Sequence, residues 1–382
     1  LLLKTVPEGA EVRCGAAVLG ATPLVIDDIS EASVEARYTL AKAGYRPAVV
    51  GRGEAAAGWR VLVDLQRTAA VEIRLPAPVS TPPALLGGRI VVAGSRAVFS
   101  VDEAGAVQAF PVDGEAGAIS RPLAEPVYAL PVLIGESVFV TTRDHLALEI
   151  LGGRLTKRTL TGKSDHPLVL FTSPNILDRR ILIIAGLDHR LHAYDPYRNT
   201  PPWDGAPGAE FAGGPVLAGE RVLVARRDGA LESYLADTGQ PERQESLGDR
   251  ILATWPVADG LAGMSNDWLW RWDGRVPAQR MALPAKATLG GPAAYLSESQ
   301  RLLRRQADGT WVEKGRVPSG LVLTAPPVPW GDDLVLVAGT TVQVTGAQAF
   351  TLTGTSDVLP PLVAGDRLVL VTVDGALRVF TR

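Results

Sequence analysis

The segment from 187 to 195, LDHRLHAYD, carries residue types that can bind a metal. His189 and His192 stand three positions apart, and Asp188 and Asp195 lie near them. Imidazole nitrogens and carboxylate oxygens are the usual protein ligands of zinc. On a β-strand, residues three apart face opposite sides of the sheet, so the two imidazoles would not easily reach one ion. The pattern therefore predicts a structural segment without a metal, with ligand contact by His189 at a hairpin tip as the alternative.

The same segment aligns with other stretches that have the pattern of a hairpin. In each stretch an Asp occupies the same position and is followed by Gly or His. An Asp-Gly pair between two alternating strands marks a tight hairpin, and His tolerates a positive φ better than most residues. We therefore expect His189 to lie at a turn for reasons of backbone conformation. The aligned stretches are TRDHLALEI at 142–150, LDHRLHAYD at 187–195, RDGALESYL at 227–235 and VDGALRVFT at 373–381.

Composition and charge exclude several classes of protein. Of the 382 residues, 46% are apolar and 21% are charged, which favours a sizeable core over disorder. A net charge of -3 and the lack of any Lys/Arg block give little support for nucleic-acid binding. The longest apolar runs have the length of a strand, well short of the roughly 20 residues of a membrane helix. Cys14 is the single cysteine, so no intrachain disulfide can form.

A repeat with a period near 40 predicts the main fold. Each unit has a short strand that begins near a Pro, then a polar turn and a hydrophobic strand, and has room for four strands. Four-stranded units at this period are typical of a β-propeller. The last unit stops near Phe380 after its third strand, and Val71–Leu75 is predicted to complete that blade and close the ring. The eight units begin near Pro83, Pro131, Pro174, Pro215, Pro256, Pro292, Pro327 and Pro361.

Residues 1–69 have a different pattern, with short alternating runs separated by turns. Period-2 alternation between turn signals predicts half-buried strands of a small antiparallel sandwich. This region resembles the PEGA domain, although Ser30–Ser33 replaces the Pro-Gly turn that is frequent there. The resemblance implies a small β-sandwich on the extracytoplasmic part of a bacterial surface protein, without catalytic residues. The matching motifs are Pro7-Glu8-Gly9-Ala10, Gly15, Gly20-Ala21-Thr22-Pro23-Leu24 and Gly44-Tyr45-Arg46-Pro47.

Residues 70–382 resemble the quinoprotein-type, PQQ-like repeat. In that repeat a hydrophobic strand is followed by Asp, a Thr-Gly turn and a Trp that docks on the next blade. Asp195 and Trp203 match in one unit, and Asp237-Thr238-Gly239 match in the next, where Arg243 stands near the Trp position. The predicted fold is therefore all-β: a PEGA sandwich followed by an eight-bladed propeller.

The residues needed for quinoprotein catalysis are not evident. Dehydrogenases that resemble this fold carry a disulfide between adjacent cysteines over pyrroloquinoline quinone (PQQ) and ligands for calcium. Cys14 lies outside the repeats, and the recurring Asp residues are explained as turn formers. Trp268, Trp270 and Trp272 alternate along one strand, where packing between blades is favoured over a platform for a quinone. We therefore expect no enzyme activity from this chain and no required cofactor.

The leading hypothesis from sequence is a sensor or binding region. The combination resembles the extracytoplasmic part of bacterial receptor serine/threonine kinases, anchored through a membrane segment that this chain lacks. One mouth of the propeller would bind a small anionic ligand, for which PQQ is a candidate, or a protein partner. The predicted ligand-binding residues at the hairpin tips are Arg143, Asp188, His189, Arg226 and Arg227.

Two alternatives stay open from the sequence. One is a scaffold that resembles the propeller lipoprotein of outer-membrane protein assembly, with peptide strands or a protein domain as partner. The other is the quinoprotein dehydrogenase. The predicted location is extracytoplasmic, at the cell surface or in the periplasm, and the sequence does not fix the oligomeric state.

Overall fold

The protein is built from β-strands. A computed structural model describes residues 1–6, 8–27, 36–51, 60–65, 67–112, 123–176, 179–195, 200–346 and 350–382. Over these ranges there is no α-helix, and no helix is long and apolar enough to cross a membrane. The all-β prediction is therefore confirmed, whereas Pro7 and the Ser30–Ser33 loop lie outside the described residues.

The N-terminal region forms two small sheets that share one core. The first has the strand order β4-β1-β7 and the second the order β3-β2-β5-β6. Inward-facing side chains of both sheets, among them Leu3, Val12, Tyr38 and Leu40, form this core. The alternation seen in the sequence thus produces one buried face on each sheet. The strands are Leu2–Val6 (β1), Glu11–Cys14 (β2), Ala17–Ala21 (β3), Leu24–Val25 (β4), Arg37–Ala41 (β5), Ala48–Gly51 (β6) and Arg60–Asp64 (β7).

The remaining strands form eight four-stranded sheets within the described ranges. The strand that follows the sandwich, Val71–Arg74 (β8), belongs to the last of them. The first four blades are Ala84–Leu86, Arg89–Ala93, Ala97–Val101 and Val107–Pro111 (β9–β12); Val132–Ile134, Ser137–Thr141, Leu146–Leu151 and Arg154–Thr159 (β13–β16); Val169–Thr172, Arg180–Ala185, Leu191–Asp195 and Thr200–Asp204 (β17–β20); and Val216–Ala218, Arg221–Ala225, Ala230–Leu235 and Pro241–Ser246 (β21–β24).

The second half of the ring repeats this arrangement. The first strand of blade 5 contains Pro256 as its penultimate residue, and the first strand of blade 6 ends before Pro292, so both strands begin earlier than the repeat alignment predicted. The last four blades are Ile251–Val257, Gly260–Ser265, Trp268–Trp272 and Gln279–Ala282 (β25–β28); Ala287–Gly290, Ala294–Ser297, Arg301–Arg305 and Trp311–Arg316 (β29–β32); Val328–Trp330, Asp333–Ala338, Thr341–Val344 and Phe350–Thr353 (β33–β36); and Leu362–Ala364, Arg367–Val371 and Ala376–Thr381 (β37–β39) with β8.

The ring is closed by strands from opposite ends of the propeller sequence. β8 pairs antiparallel with β39, so that Val71 lies opposite Val379 and Ile73 lies opposite Leu377. The innermost strand of this last blade, β37, contacts β9 of the first blade. The predicted closure of the last blade by the segment that begins at Val71 is therefore confirmed.

Each seam between neighbouring blades holds its own apolar cluster. Trp203 on β20 of blade 3 gives the clearest case, because its ring stacks on Tyr234 of blade 4 with centroids 6.5 Å apart. The indole Nε1 donates a hydrogen bond to the Ala236 carbonyl oxygen at 3.0 Å. A Cβ at Gly239 would lie 2.4 Å from the Trp203 ring, so the receiving turn needs glycine there. This is the docking contact that the repeat resemblance implies.

The sandwich is attached to the propeller beside the closing blade. Arg67, which is buried, donates to the Thr381 carbonyl oxygen at the end of β39. Its guanidinium carbon lies 5.3 Å from the centre of the Trp330 ring and 5.5 Å from that of Tyr45. A guanidinium between aromatic faces is held by cation–π attraction as well as by its hydrogen bonds. The strand that closes the ring is therefore fixed just before it begins.

Removal of the docked indole should weaken the seam between blades 3 and 4. We expect Trp203→Ala to lower the free energy of unfolding by about 3–5 kcal/mol, because a large buried ring leaves a cavity. Trp203→Phe keeps an aromatic ring but leaves the Ala236 carbonyl without its donor, which should lower the free energy of unfolding by about 1–3 kcal/mol. Urea denaturation followed by circular dichroism measures both changes. Equal stability of the Ala variant and the unsubstituted protein would contradict this packing.

Candidate functional site

The five predicted ligand-binding residues lie on one face of the propeller. In each blade, the hairpin between the second and third strands lies at the same end of the strands as the connection to the next blade. We name the face of the propeller formed by these strand ends the upper face; it includes the hairpins at 142–145, 186–190, 226–229 and 372–375. The lower face carries the other turns. The predicted residues occupy three neighbouring blades: Arg143 in blade 2, Asp188 and His189 in blade 3, and Arg226 and Arg227 in blade 4.

His189 lies at the tip of its hairpin, as the sequence predicts. Its φ is 65°, and His145 at the same position in blade 2 has a φ of 57°. The equivalent Gly229 and Gly375 also have positive φ. Asp188 accepts a hydrogen bond from the Arg190 backbone N–H, which is the bond expected of a turn-forming Asp. Backbone conformation therefore explains the residue type at this position.

His192 is buried between two carboxylates. Its Nδ1 lies 2.8 Å from Asp204 Oδ1, and its Nε2 lies 2.9 Å from Asp188 Oδ1. Burial raises the pKa of Asp188, but the hydrogen bond and charge of His192 outweigh this and leave that pKa below its usual value. The Asp-His pattern thus forms an internal hydrogen-bonded cluster, and the described ranges contain no group of His, Cys, Asp and Glu that could hold a metal.

Arg226 serves the fold and is not exposed to a ligand. It is only 2% exposed, and its Nε donates to Glu232 at 2.8 Å. Nη1 donates to the carbonyl oxygens of His189 and Ala209, and the guanidinium lies 4.5 Å from the Phe211 ring centre. Because its donors are used inside the chain, we exclude Arg226 from the candidate site. The sequence-based choice of this residue is corrected on that ground.

Three half-buried basic residues of the upper face are paired with carboxylates. Arg143 Nη2 donates to Asp165 at 2.8 Å, and Arg227 Nε donates to Glu210 at 2.8 Å. Lys163 Nζ donates to Glu125 at 2.7 Å, which lowers the pKa of that carboxyl. Such pairs locally neutralise Arg143, Arg227 and Lys163.

The sequence did not reveal an aromatic residue on this face. Tyr128, in the connection between blades 1 and 2, is 43% exposed, and the Arg143 guanidinium lies 4.4 Å from the centre of its ring. Leu130 in the same connection and Leu187 in the hairpin of blade 3 are also exposed. Tyr128 belongs to no repeat motif, so no sequence signal marked it. An exposed Tyr beside an ordered Arg and exposed leucines has the composition of a protein-binding surface.

Trp270 and Trp272 of blade 5 are part of the core, whereas Trp268 on the same strand is only half-buried. Trp270 and Trp272 are buried in the cluster between blades 4 and 5, with Leu223 and Leu231 of blade 4. They face the same side of β27, as predicted from their alternation. They therefore stabilise a seam, and they do not form an open platform on which a quinone could stack.

Comparison with known proteins gives the class of this fold. The family profile described as outer membrane protein assembly factor BamB matches residues 152–310, which is less than half of the chain. No curated protein matches the sequence at a significant level. The chain is thus similar to a BamB-type propeller over its central blades.

Solved structures extend this similarity to most of the chain. The crystal structure of BamB from Moraxella catarrhalis has a TM-score of 0.55 and 17% sequence identity, over 82% of this chain and 97% of that one. The computationally designed Ika8 protein has a TM-score of 0.50 and 14% identity, over 81% of this chain and 98% of that one. At these identities the likeness shows the fold alone, a BamB-like β-propeller.

Substitution of the two adjacent arginines of blade 4 should change the free energy of unfolding by very different amounts. Arg226→Met leaves the half-buried Glu232 without its cation, and we expect a loss of about 3–5 kcal/mol in the free energy of unfolding. Arg227→Met removes only an exposed pair, with an expected change below about 1 kcal/mol. Denaturation of both variants in urea provides the comparison.

A double variant checks the cause of the Arg226 effect. Arg226→Met with Glu232→Gln removes both charges and should regain part of the stability lost in Arg226→Met. Similar stability of the two single variants would show that Arg226 is not the buried support described above.

Proposed function

We propose that this chain is a non-catalytic scaffold that binds a protein partner through the upper face of its propeller. The exposed Tyr128–Arg143 pair carries this proposal, together with the similarity to outer membrane protein assembly factor BamB. We further propose an extracytoplasmic location and a role like that of such an assembly factor. The similarity to BamB supports this function better than the sensor function, which was the leading hypothesis from the sequence.

The Tyr128–Arg143 pair suits the centre of a protein interface. Tyr and Arg are the residue types enriched among the few that carry most of the binding energy. Asp165 holds one side of the Arg143 guanidinium while the Tyr128 ring packs against it. Little side-chain entropy is then lost when a partner covers the pair. The exposed Leu130 and Leu187 add apolar area on the same face.

The ion pairs that hold Arg143, Lys163 and Arg227 support a protein partner over a small anion. An anionic ligand such as PQQ gains most from cations that lack a partner, whereas Arg143, Lys163 and Arg227 each have a carboxylate within 2.8 Å. Alternating charges of both signs instead allow complementary contacts around an apolar centre and give specificity. Of the five residues predicted from sequence, we retain Arg143, Asp188, His189 and Arg227 as contact residues for a protein partner.

Absence of catalysis is part of the same proposal. Asp188 and Asp228 accept backbone hydrogen bonds within their hairpins, and Asp165, Glu210 and Glu125 are held in ion pairs. A general base must be free to take a proton from a substrate. These carboxylates are committed to the structure, which supports a binding role.

A sensor region of a membrane receptor is the second candidate. Its support is the attachment of the sandwich to the closing blade through Arg67, which joins two modules into one unit at the point of ring closure. A ligand changes signalling only if it binds two receptor states with different affinity, or joins two chains. The PEGA resemblance and the receptor-kinase setting belong to this candidate.

Photo-crosslinking from the upper face tests the scaffold proposal. A photoreactive amino acid at position 128 of the full-length protein, in the bacterium that produces it, should yield adducts with components of outer-membrane protein assembly. Tyr128→Ala should weaken binding of the purified captured partner at least about tenfold, as expected for a central interface residue. Mass spectrometry identifies the adducts, and calorimetry measures the affinity.

A matched control lies on the opposite face. Val276, in the lower-face turn between β27 and β28, is 53% exposed, and the same photoreactive residue there should give no such adduct. Equal adducts from both positions, or none from position 128, would refute the scaffold. Saturable binding of PQQ that is weakened by Arg227→Ala would favour the sensor candidate instead.

A further inference from the structure

The seam at which the ring closes contains an apolar cavity. Its volume is about 500 Å³, and it opens on the lower face between blade 8 and blade 1. One row of side chains from each blade faces it, and each row runs across the strands of its sheet. The lining from blade 8 is Leu362, Val369, Val379 and Val71, and the lining from blade 1 is Leu85, Ile90 and Val101.

The equivalent place in another seam is filled by two aromatic rings. Trp203 lies opposite Ala193 in blade 3, and Val71 lies opposite Val379 in blade 8. Ala193 and Val379 both come five residues after the hairpin Asp, so Val71 occupies the place of Trp203. Val101 lies opposite Ile90 in blade 1, and Tyr234 lies opposite Val222 in blade 4. Ile90 and Val222 are each the second residue of their strand, so Val101 occupies the place of Tyr234. Two valines therefore stand where the seam between blades 3 and 4 has a stacked Trp–Tyr pair.

The turn that receives the docked ring is retained at the closing seam. Gly239, against which Trp203 packs, has a φ of 69°, and Gly105 in the corresponding turn of blade 1 has a φ of 88°. A Cβ at Gly239 would collide with the indole at 2.4 Å, whereas at Gly105 it would lie 3.2 Å from the nearest atom, of Val71. The receiving surface is present, and the side chain opposite it is small.

The charged residues at the rim of the cavity are paired with opposite charges. Arg367 Nη1 lies 2.9 Å from Glu103 Oε1, and Arg89 Nη1 lies 3.8 Å from Asp102 Oδ2. Arg367 and the two carboxylates of the lining, Asp102 and Glu103, are thus each paired, which leaves no uncompensated charge to attract an ion. The apolar walls and the neutral rim together select for an uncharged ligand.

We propose that this cavity binds a planar, uncharged aromatic group of about the size of an indole. Small-molecule sites commonly have volumes of about 300–1,000 Å³, and apolar cavities of about 150 Å³ already hold benzene. Leu85 at the mouth is 45% exposed and would be covered by such a group. The inference does not depend on the scaffold function, because the cavity lies on the lower face, away from Tyr128.

Ligand-observed NMR with the whole chain tests this site. Indole serves as the probe for a free aromatic molecule, and N-acetyl-tryptophanamide serves as the probe for an aromatic side chain of a polypeptide. We expect saturable binding of indole with half-saturation at or below about 1 mM. Binding of both probes assigns the site to a side chain of a partner, and binding of indole alone assigns it to a free molecule.

Substitutions that fill the cavity separate this site from others. Val71→Trp places a ring where Trp203 has one and should weaken indole binding at least about tenfold. Leu85→Trp covers the mouth and should have the same effect, which keeps the test open if the first variant folds poorly. Leu133→Trp is the matched control, because Leu133 has the corresponding place in blade 2 and is 42% exposed. The dissociation constant of indole in this variant should differ from that of the unsubstituted protein by less than about twofold.

Two results would overturn the proposal. One is the absence of saturation by indole in the unsubstituted protein at about 10 mM, a concentration that would fill even a weak site. The other is undiminished indole binding in a folded Val71→Trp or Leu85→Trp variant.

Discussion

The pairing of β8 with β39 is the constraint on which the rest of this structure depends. It joins Val71–Arg74 to a strand about 300 residues later in the chain and gives the last blade its fourth strand. Without it, blade 8 would present an open edge, and strand edges without a partner invite association with other chains. Each blade covers its apolar faces only with two neighbours, so closure also completes the seams on both sides of blade 8. Arg67 reinforces this point by fixing the chain to Thr381 just before β8 begins.

The sequence was sufficient for the features that repetition encodes. The period near 40 predicted eight units, and the unfinished last unit predicted closure near Val71. The turn at His189 was predicted because Asp-His stands there at the position where other units have Asp-Gly. Features that depend on a single tertiary neighbour were not predictable. Arg226 looked like an exposed hairpin residue, but Phe211, which comes from a different segment, covers it. Tyr128 lies between repeats, and the attachment of Arg67 to Trp330 links residues more than 250 positions apart.

A closed ring explains how an upper face built from turns can act as a binding surface. Hairpins and connections are usually the mobile parts of a fold, and function concentrates on them when a rigid scaffold holds them. Here the turns are fixed by contacts between blades, such as Arg143 with Asp165 and Arg226 with the His189 carbonyl. A surface ordered before binding loses less entropy when a partner docks. The arrangement therefore fits the proposed scaffold.

Hydrogen–deuterium exchange of the whole chain tests ring closure most directly. If β8 completes blade 8, the hydrogen-bonded amides of Val71–Arg74 and of Ala376–Thr381 should exchange slowly and open together, as one cooperative unit of the propeller. Peptides that cover the two strands can be followed separately by mass spectrometry. Exchange of Val71–Arg74 at the rate of an unprotected peptide, with the neighbouring β39 still protected, would contradict closure and the account that depends on it.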